Sequence, residues 1–376
     1  MQDLQKIREE IDDIDNQIVE LYEARMKLTE EVAEYKINTG KQVFDKEREE
    51  SKLATLSGKA KSAFTRHGIR ELFEQIMSMS RKKQYKLLTG HGILPKQEFT
   101  KVDKLDVAGG RIVFQGLEGA YSQEATELFF GRDCDSFHVS SWKDAMEAIK
   151  NKEADYAVLP IENSSAGIVS ENYDLLEEYD NYIVGEQIVK INHVLLGLED
   201  ADERDITSVY SHKQSIMQCS DFLEKHPGWE KISLSNNAVA ARKVKEDGLI
   251  HQAAIASEKN AEIYGLKVLR KSIQNNVNNS TRFIIVTNKK IYTKDADRIS
   301  ICFEINHESG ALYHALSHFI YNGINMTNIQ SRPLQNKNWE YRFFIDFEGN
   351  FNDNAVMNAL RGLREETISF RILGTY

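Results

Sequence analysis

Leu4, Ile7, Ile11, Ile14, Ile18, Leu21, Leu28, Val32 and Tyr35 recur at alternating spacings of three and four, the period of one apolar seam along a single helix. At 1.5 Å per residue, a helix over 4–35 runs about 48 Å. That is too long to bury its seam inside a unit of about 90 residues, so a second chain is expected beside it. Gly40 ends the pattern. A second helix is expected from near Asp45, and a third from about Ile69 to Leu88 with Leu72, Phe73, Ile76 and Leu87 on one face.

The pattern changes twice more downstream. Residues 89–110 read as a linker, with Thr-Gly-His-Gly-Ile-Leu-Pro at one end and Gly109-Gly110 at the other. From 111 to 288 short apolar runs such as Ile112–Phe114, Tyr156–Leu159, His193–Leu196, Ser208–Tyr210 and Ala254–Ala256 read as strands. They alternate with helical stretches at 122–130, 142–150, 170–178, 213–225 and 238–247. This is α/β patterning. Its length suits two lobes, with crossings near 184–192 and 275–283 and a ligand cleft between them. From 298 to 376 the order is strand, helix, strand, strand, helix, strand, the ferredoxin-like α+β arrangement. The fold class is therefore multidomain: all-α over 1–88, two-lobed α/β of the periplasmic-binding-protein kind over 111–288, and ferredoxin-like over 298–376.

Composition narrows the function. The net charge of −10 argues against nucleic acid as a partner, and charges balance over 1–88, so the acidic excess lies downstream. No apolar run approaches the roughly 20 residues that span a bilayer, and the first residues, Met-Gln-Asp-Leu-Gln-Lys, do not resemble a secretory leader. Cys134, Cys219 and Cys302 are odd in number and lack metal-ligand spacing. A reduced, cytoplasmic protein without metal or cofactor is expected.

Polar residues interrupt the apolar faces of the helical segment. Arg25 stands on the seam between Leu21 and Leu28, and an unpaired buried guanidinium costs several kcal/mol. Lys36, eleven residues on, shares nearly the same face. Ser80 and Gln84 form an i, i+4 pair on the third helix. Asp45, Arg48 and Glu49 open the second, while Arg8 lies far back along the first. A solvated salt-bridge network would explain Arg48 and Glu49 alone; it does not explain Arg25, Ser80 and Gln84. Taken together, Arg8, Arg25, Lys36, Asp45, Arg48-Glu49, Ser80 and Gln84 resemble the polar pattern of the all-helical chorismate mutases. The resemblance implies an intertwined dimer in which Arg8 reaches the partner's pocket. It also implies that chorismate, a dianion, rearranges to prephenate without nucleophile or proton relay. Arg8 and Arg25, with Arg48 as a further candidate, would hold its carboxylates. Lys36 and Gln84 would donate to the ether oxygen, and Glu49, Asp45 and Ser80 would hold the ring hydroxyl and position the cations.

In the α/β segment, Gly116-Leu117-Glu118-Gly119-Ala120-Tyr121-Ser122 follows the first strand, its glycines suiting a tight turn and Ser122 a helix cap. Glu162-Asn163-Ser164 ends a strand, where open α/β sheets bind ligands. Ser211-His212-Lys213-Gln214 ends another, with His212 equally readable as a helix-start residue. Thr281-Arg282-Phe283 opens a third strand after Asn278 and Asn279, which read as turn residues. These segments look like prephenate dehydratase, which implies that all of them face the interlobe cleft. Thr281 would donate a proton to the departing hydroxyl, and Ser122, Asn163, Ser211 and Gln214 would orient prephenate. Two positions depart from the family: Lys213 stands where proline is common, and Asn237 where threonine is, its role left open.

In the last segment Gly310-Ala311-Leu312 and Gln330-Ser331-Arg332-Pro333 resemble the two motifs of the phenylalanine-binding ACT domain, with Gln330 in place of the usual glutamate. A plain dimerisation module is the alternative there. The chain as a whole is expected to convert chorismate to prephenate and then to phenylpyruvate, with phenylalanine as inhibitor. A homo-oligomer is expected, dimer and tetramer both remaining open. The rival is a non-enzymatic aromatic-acid sensor with an oligomerising helical tail. Pure oligomerisation would favour Leu or Ile over Arg25.

Overall fold

The computed structural model describes residues 4–93, 98–106, 109–334 and 339–376. Residues 1–3 of the expected helical domain, and 94–97 and 107–108 of the expected linker, lie outside these. The chain divides into two compact units, residues 1–98 with 301–371 and residues 99–300 with 372–376.

In the first unit the helices are α1 (Leu4–Thr39), α2 (Lys46–Ser57) and α3 (Ala63–Gly90). Gly40 takes φ +68° and its N–H bonds Lys36 O at 2.8 Å, the left-handed stop that glycine permits. Asp45 caps α2 by accepting from Arg48 N at 3.1 Å. Ser62 and Thr65 form a capping box that starts α3 earlier than the expected Ile69; such caps stabilise by about 1 kcal/mol each. Met26, Thr29 and Ala33 are the buried residues of α1. Its seam stays open: Ile11, Ile14, Ile18 and Leu21 are 50 %, 55 %, 53 % and 71 % exposed.

The same unit holds helices Ala311–Tyr321 and Asn354–Glu366. The strands Met326–Pro333, Tyr341–Glu348, Arg298–Glu304 and Ser369–Thr375 lie side by side in that order, which is the ferredoxin-like order. Helix Asn354–Glu366 packs on α3. Gly362 allows it to approach Ala311–Tyr321 closely, because a Cβ there would collide with the fully buried ring of His318.

The second unit has two lobes. In the first, strands Tyr182–Lys190, Ser280–Thr287, Tyr156–Asn163, Ile112–Gln115 and Ser136–Val139 are neighbours in that order, over a core that includes Phe114, Val158, Phe283 and Ile285. In the second, the order is Lys267–Arg270, Val194–Gly197, Gln252–Ala256, Ser208–His212 and Glu230–Leu234. The lobes meet at the Gly116–Gly119 turn. Gly119 has φ +89°, a Cβ on it would strike Asn260, and Asn260 Nδ2 donates to its carbonyl at 2.9 Å.

Two expectations need correction. The helix expected over 213–225 breaks at Cys219 into Lys213–Gln218 and Ser220–Leu223. The expected linker contains a strand, Thr100–Val102, which pairs in parallel with Ile291–Thr293. Its backbone finds partners that its composition does not advertise.

Candidate active sites

The helical site is built between α1 and α3. Arg25 Nη1 donates to Ser80 Oγ, and Ser80 Oγ donates to Ile76 O at 2.8 Å. One turn on, Gln84 Nε2 donates to Ser80 O at 3.3 Å, while its buried Oε1 has no partner among the described residues. Lys36 Nζ donates to Val43 O at 2.7 Å, tying the end of α1 to the approach to α2. Burial pulls the pKa values of both Arg25 and Lys36 down, against the pull of Glu49 on each and of Asp45 on Lys36. Arg25, Lys36, Ser80, Gln84 and Glu49 are thus brought together around two partly desolvated cations. Arg48 is exposed, and Asp45 is spent as the α2 cap. Arg8 is also exposed and lies about 26 Å from Arg25 along the helix, so one chain alone does not bring it to this cluster. One residue that the sequence pattern concealed is central: Arg81, only 8 % exposed at its side chain, pairs with Glu49 and with Glu366.

The second cluster surrounds Asn163. In register across the sheet, Asn163 faces Thr281 and Glu162 faces Arg282. Asn163 Oδ1 accepts from Ser165 N at 3.0 Å and Ala166 N at 2.8 Å, and two backbone donors fix which end of the amide is oxygen. Its Nδ2 therefore donates to Thr281 Oγ1 at 2.9 Å and to Asn279 Oδ1 at 2.9 Å. Ser164 Oγ accepts from Ser280 N at 2.9 Å. Asn279 is not the plain turn residue expected. It is 1 % exposed, joins this network, and its Nδ2 is buried without a partner among the described residues.

Neighbouring residues lie away from the cluster. Strand alternation turns Arg282 to the face opposite Thr281, where it lies 3.6 Å from both Glu162 and Glu186. Phe283 shares the face of Thr281 but is 3 % exposed and packs in the lobe's core, so it does not line a cleft. Ser122 does not cap its helix; its hydroxyl donates back to Gln115 O, inside the glycine turn. Ser211, His212 and Gln214 belong to the second lobe. His212 caps the short helix by accepting from Gln214 N at 3.3 Å, and burial lowers its pKa. Asn237 acquires a role: its Oδ1 accepts from Ser211 Oγ at 3.0 Å, His212 N at 3.1 Å and Ser215 Oγ at 3.0 Å, holding the whole turn.

In the C-terminal domain Gly310, φ +83°, opens helix Ala311–Tyr321. Gly310 and Ala311 line a cleft of about 1140 Å³ that also includes Phe44, Glu49, Gln75 and Arg81. Leu312 follows on the helix. Gln330, Ser331 and Arg332 stand on a different strand, where Gln330 Nε2 bonds Asn328 at 3.1 Å, and they do not line that cleft. Among the described residues no cluster of His, Cys, Asp and Glu suits a metal ion, and no helix is long and apolar enough to cross a membrane.

Comparison with known proteins is decisive. Residues 7–85 match the family model for chorismate mutase type II and residues 112–291 that for prephenate dehydratase. The bifunctional chorismate mutase/prephenate dehydratase of Buchnera aphidicola subsp. Schizaphis graminum is 34 % identical, covering 100 % of this chain and 96 % of its own. The chain belongs to this bifunctional family. As a bifunctional chorismate mutase/prephenate dehydratase it converts chorismate to prephenate and prephenate to phenylpyruvate. Among solved structures, the prephenate dehydratase of Arthrobacter aurescens in complex with L-Phe is 29 % identical over 71 % of this chain and 89 % of its own, with a TM-score of 0.66. GqqA, described as a quorum quenching acylase, is similar at the same identity and TM-score, over 71 % of this chain and 97 % of its own.

Removing the Asn237 carboxamide would take the acceptor from the His212 N–H and the buried Ser215 hydroxyl, while Ser211 keeps Ile255 O at 2.7 Å. Such losses cost about 1–3 kcal/mol each. Asn237→Ala is expected to lower dehydratase kcat/KM about tenfold, read on prephenate, with mutase turnover of chorismate unaltered. Unchanged dehydration would remove Asn237 from the site.

Proposed function

We propose that the helical cluster and the Asn163 cluster are the two catalytic sites, and that the C-terminal domain is an ACT domain which binds phenylalanine. What most supports the reading is the orientation of one amide. Because Asn163 Nδ2 donates to Thr281 Oγ1, that oxygen acts there as an acceptor and its own proton is left to donate elsewhere.

In the first reaction Arg25 holds a chorismate carboxylate, and desolvation of Arg25 and Lys36 makes an incoming dianion a favourable partner. Lys36 and Gln84 donate to the ether oxygen as the C–O bond breaks and charge gathers on it. The amide of Gln84 turns its donor to the ligand once a substrate competes for it. Glu49 accepts from the ring hydroxyl, and Ser80 fixes Arg25. Arg8 comes from a second chain, whose α1 packs on the open seam, so the working form is a homodimer; Arg48 and Asp45 stand at the pocket entrance and the α2 cap.

In the second reaction the carboxylate carbon–carbon bond of prephenate breaks, its electron pair enters the ring, and the ring hydroxyl leaves. Thr281 passes its proton to that hydroxyl, which departs as water with carbon dioxide, and solvent reprotonates Thr281. Asn163 and Asn279 orient the substrate from one lobe, Ser211 and Gln214 from the other, with Ser122 and Gly119 shaping the turn between. Arg282 and Glu162 support the strand as an ion pair. No organic cofactor or metal enters either step. The whole enzyme works in the cytoplasm. Phenylalanine binds at the Gly310 turn, in the cleft that Gly310 and Ala311 line; Gln330, on a strand outside that cleft, does not hold it there.

Three measurements test this. Arg25→Ala is expected to abolish mutase turnover and leave dehydration of supplied prephenate intact, and Thr281→Ala to do the reverse, so that prephenate accumulates from chorismate; any variant losing both activities together contradicts two separate sites. Mixing inactive Arg8→Ala with inactive Arg25→Ala protein should restore up to about a quarter of mutase activity, since a hybrid dimer has one pocket with both arginines; no recovery on exchange would place Arg8 outside the partner's pocket. Titration calorimetry with phenylalanine should give a binding isotherm that Gly310→Val removes, and absence of heat with the unaltered chain would end the ACT assignment.

A further inference from the structure

We propose that Arg81 is a positioning residue for the mutase reaction, and that Glu366 of the C-terminal domain holds it in place, so that the pocket is completed from outside the three helices. The proposal rests on the reading of Glu49 as the group that holds the chorismate hydroxyl.

Arg81 follows Ser80 on α3 and lies three residues before Gln84, between two groups of the pocket. Its Nη1 donates to Glu49 Oε2 and its Nη2 to Glu366 Oε1. The guanidinium also lies over the Phe44 ring, 4.8 Å from the centroid. Three elements thus grip one planar group: the loop before α2, α2 itself and the end of helix Asn354–Glu366. Glu366 is gripped in turn. Its second oxygen stands 2.9 Å from Nε2 of the fully buried His318. Burial opposes the charge on Arg81, but Glu366 and then Glu49 outweigh it and raise its pKa. Burial likewise opposes the Glu366 charge, and His318 with Arg81 overcomes that, lowering its pKa to about 2.

The consequence falls on Glu49. Its side chain is 22 % exposed, and with Oε2 engaged by Arg81 its other oxygen is the one free to meet a ligand. Without Arg81 the carboxylate regains its torsions, and loss of alignment by about 1 Å can cost about a hundredfold in rate. A lysine would supply charge but not a fork that bridges two carboxylates.

The test uses the full chain and steady-state mutase kinetics of Arg81→Gln, Glu366→Gln, Glu49→Gln and the Glu49→Gln/Arg81→Gln double variant. Arg81→Gln is expected to lower kcat about thirtyfold with KM changed less than about threefold. Glu366→Gln should act in the same direction, about fivefold, although it touches no pocket residue but Arg81. Dehydratase kcat/KM should stay within about twofold throughout, and the double variant should be no slower than Glu49→Gln alone. Equal losses from Arg81→Gln with and without Glu49 would overturn the route through Glu49. Normal kcat in Arg81→Gln with an impaired Glu49→Gln would overturn the positioning role and spare the reading of the site. Normal kcat in Glu49→Gln would overturn that reading itself. Should Arg81→Gln fail to fold, Arg81→Lys keeps the cation, and full kcat in that variant would refute the need for the fork.

Discussion

A guanidinium buried to 8 % exposure obliges the surrounding structure to bring carboxylates to it, because an unpaired charge inside a protein is costlier than any single packing contact. Arg81 is that group, and much of the first unit is arranged to satisfy it. Glu49 on α2 and Glu366 at the end of the last helix converge on it from two sides. Its neighbour Lys82 follows the same logic: burial lowers its pKa to about 8, and it finds Ser317 and the face of Tyr321 on the C-terminal domain. Tyr85 and Thr89, one and two turns on, bond Glu365 and Asn358 of the last helix. The contact is a row of polar commitments along one face of α3, each needing a specific partner, so its register is specified more tightly than an apolar face would require.

How much of this the sequence discloses differs by residue. The α1 seam, the Gly40 stop and the intruding Arg25 are legible because helical periodicity is a local property. Arg81 is not. It opens the run Arg-Lys-Lys, which reads as a solvated face, and only the docking of a domain more than two hundred residues downstream converts it into a buried group. Gly362 is hidden for the same reason, since its need for a bare Cα arises from His318 on another helix.

In the second unit the outcome turns on strand alternation. Thr281, Arg282 and Phe283 are adjacent in sequence, but a period of two sends Arg282 to the opposite face, and burial assigns Phe283 to the core. Alternation could have separated Thr281 from Arg282 beforehand. Asn279 was harder: asparagines before a strand are ordinary turn residues, and its burial follows from Asn163 and Ser164 closing over it. Asn237 shows the converse, a departure from the family's threonine whose longer side chain reaches three donors at once.

The family's two reactions make opposite chemical demands. A pericyclic rearrangement transfers no proton, and cations partly stripped of water, as Arg25 and Lys36 are, attract a dianion more strongly as solvent is excluded. Loss of water from prephenate requires one proton delivered to one oxygen, and the Asn163 cluster is a neutral network of amides and hydroxyls. Its amide donates to the Thr281 hydroxyl oxygen, which leaves that hydroxyl's one proton to donate elsewhere. Arg282, next in sequence, is turned to the opposite face and engaged with Glu162 and Glu186, so the charge adjacent to Thr281 along the chain is not adjacent to it in space. Charge thus gathers where Arg25 breaks an apolar seam, whereas the network around Thr281 is built from neutral amides and hydroxyls.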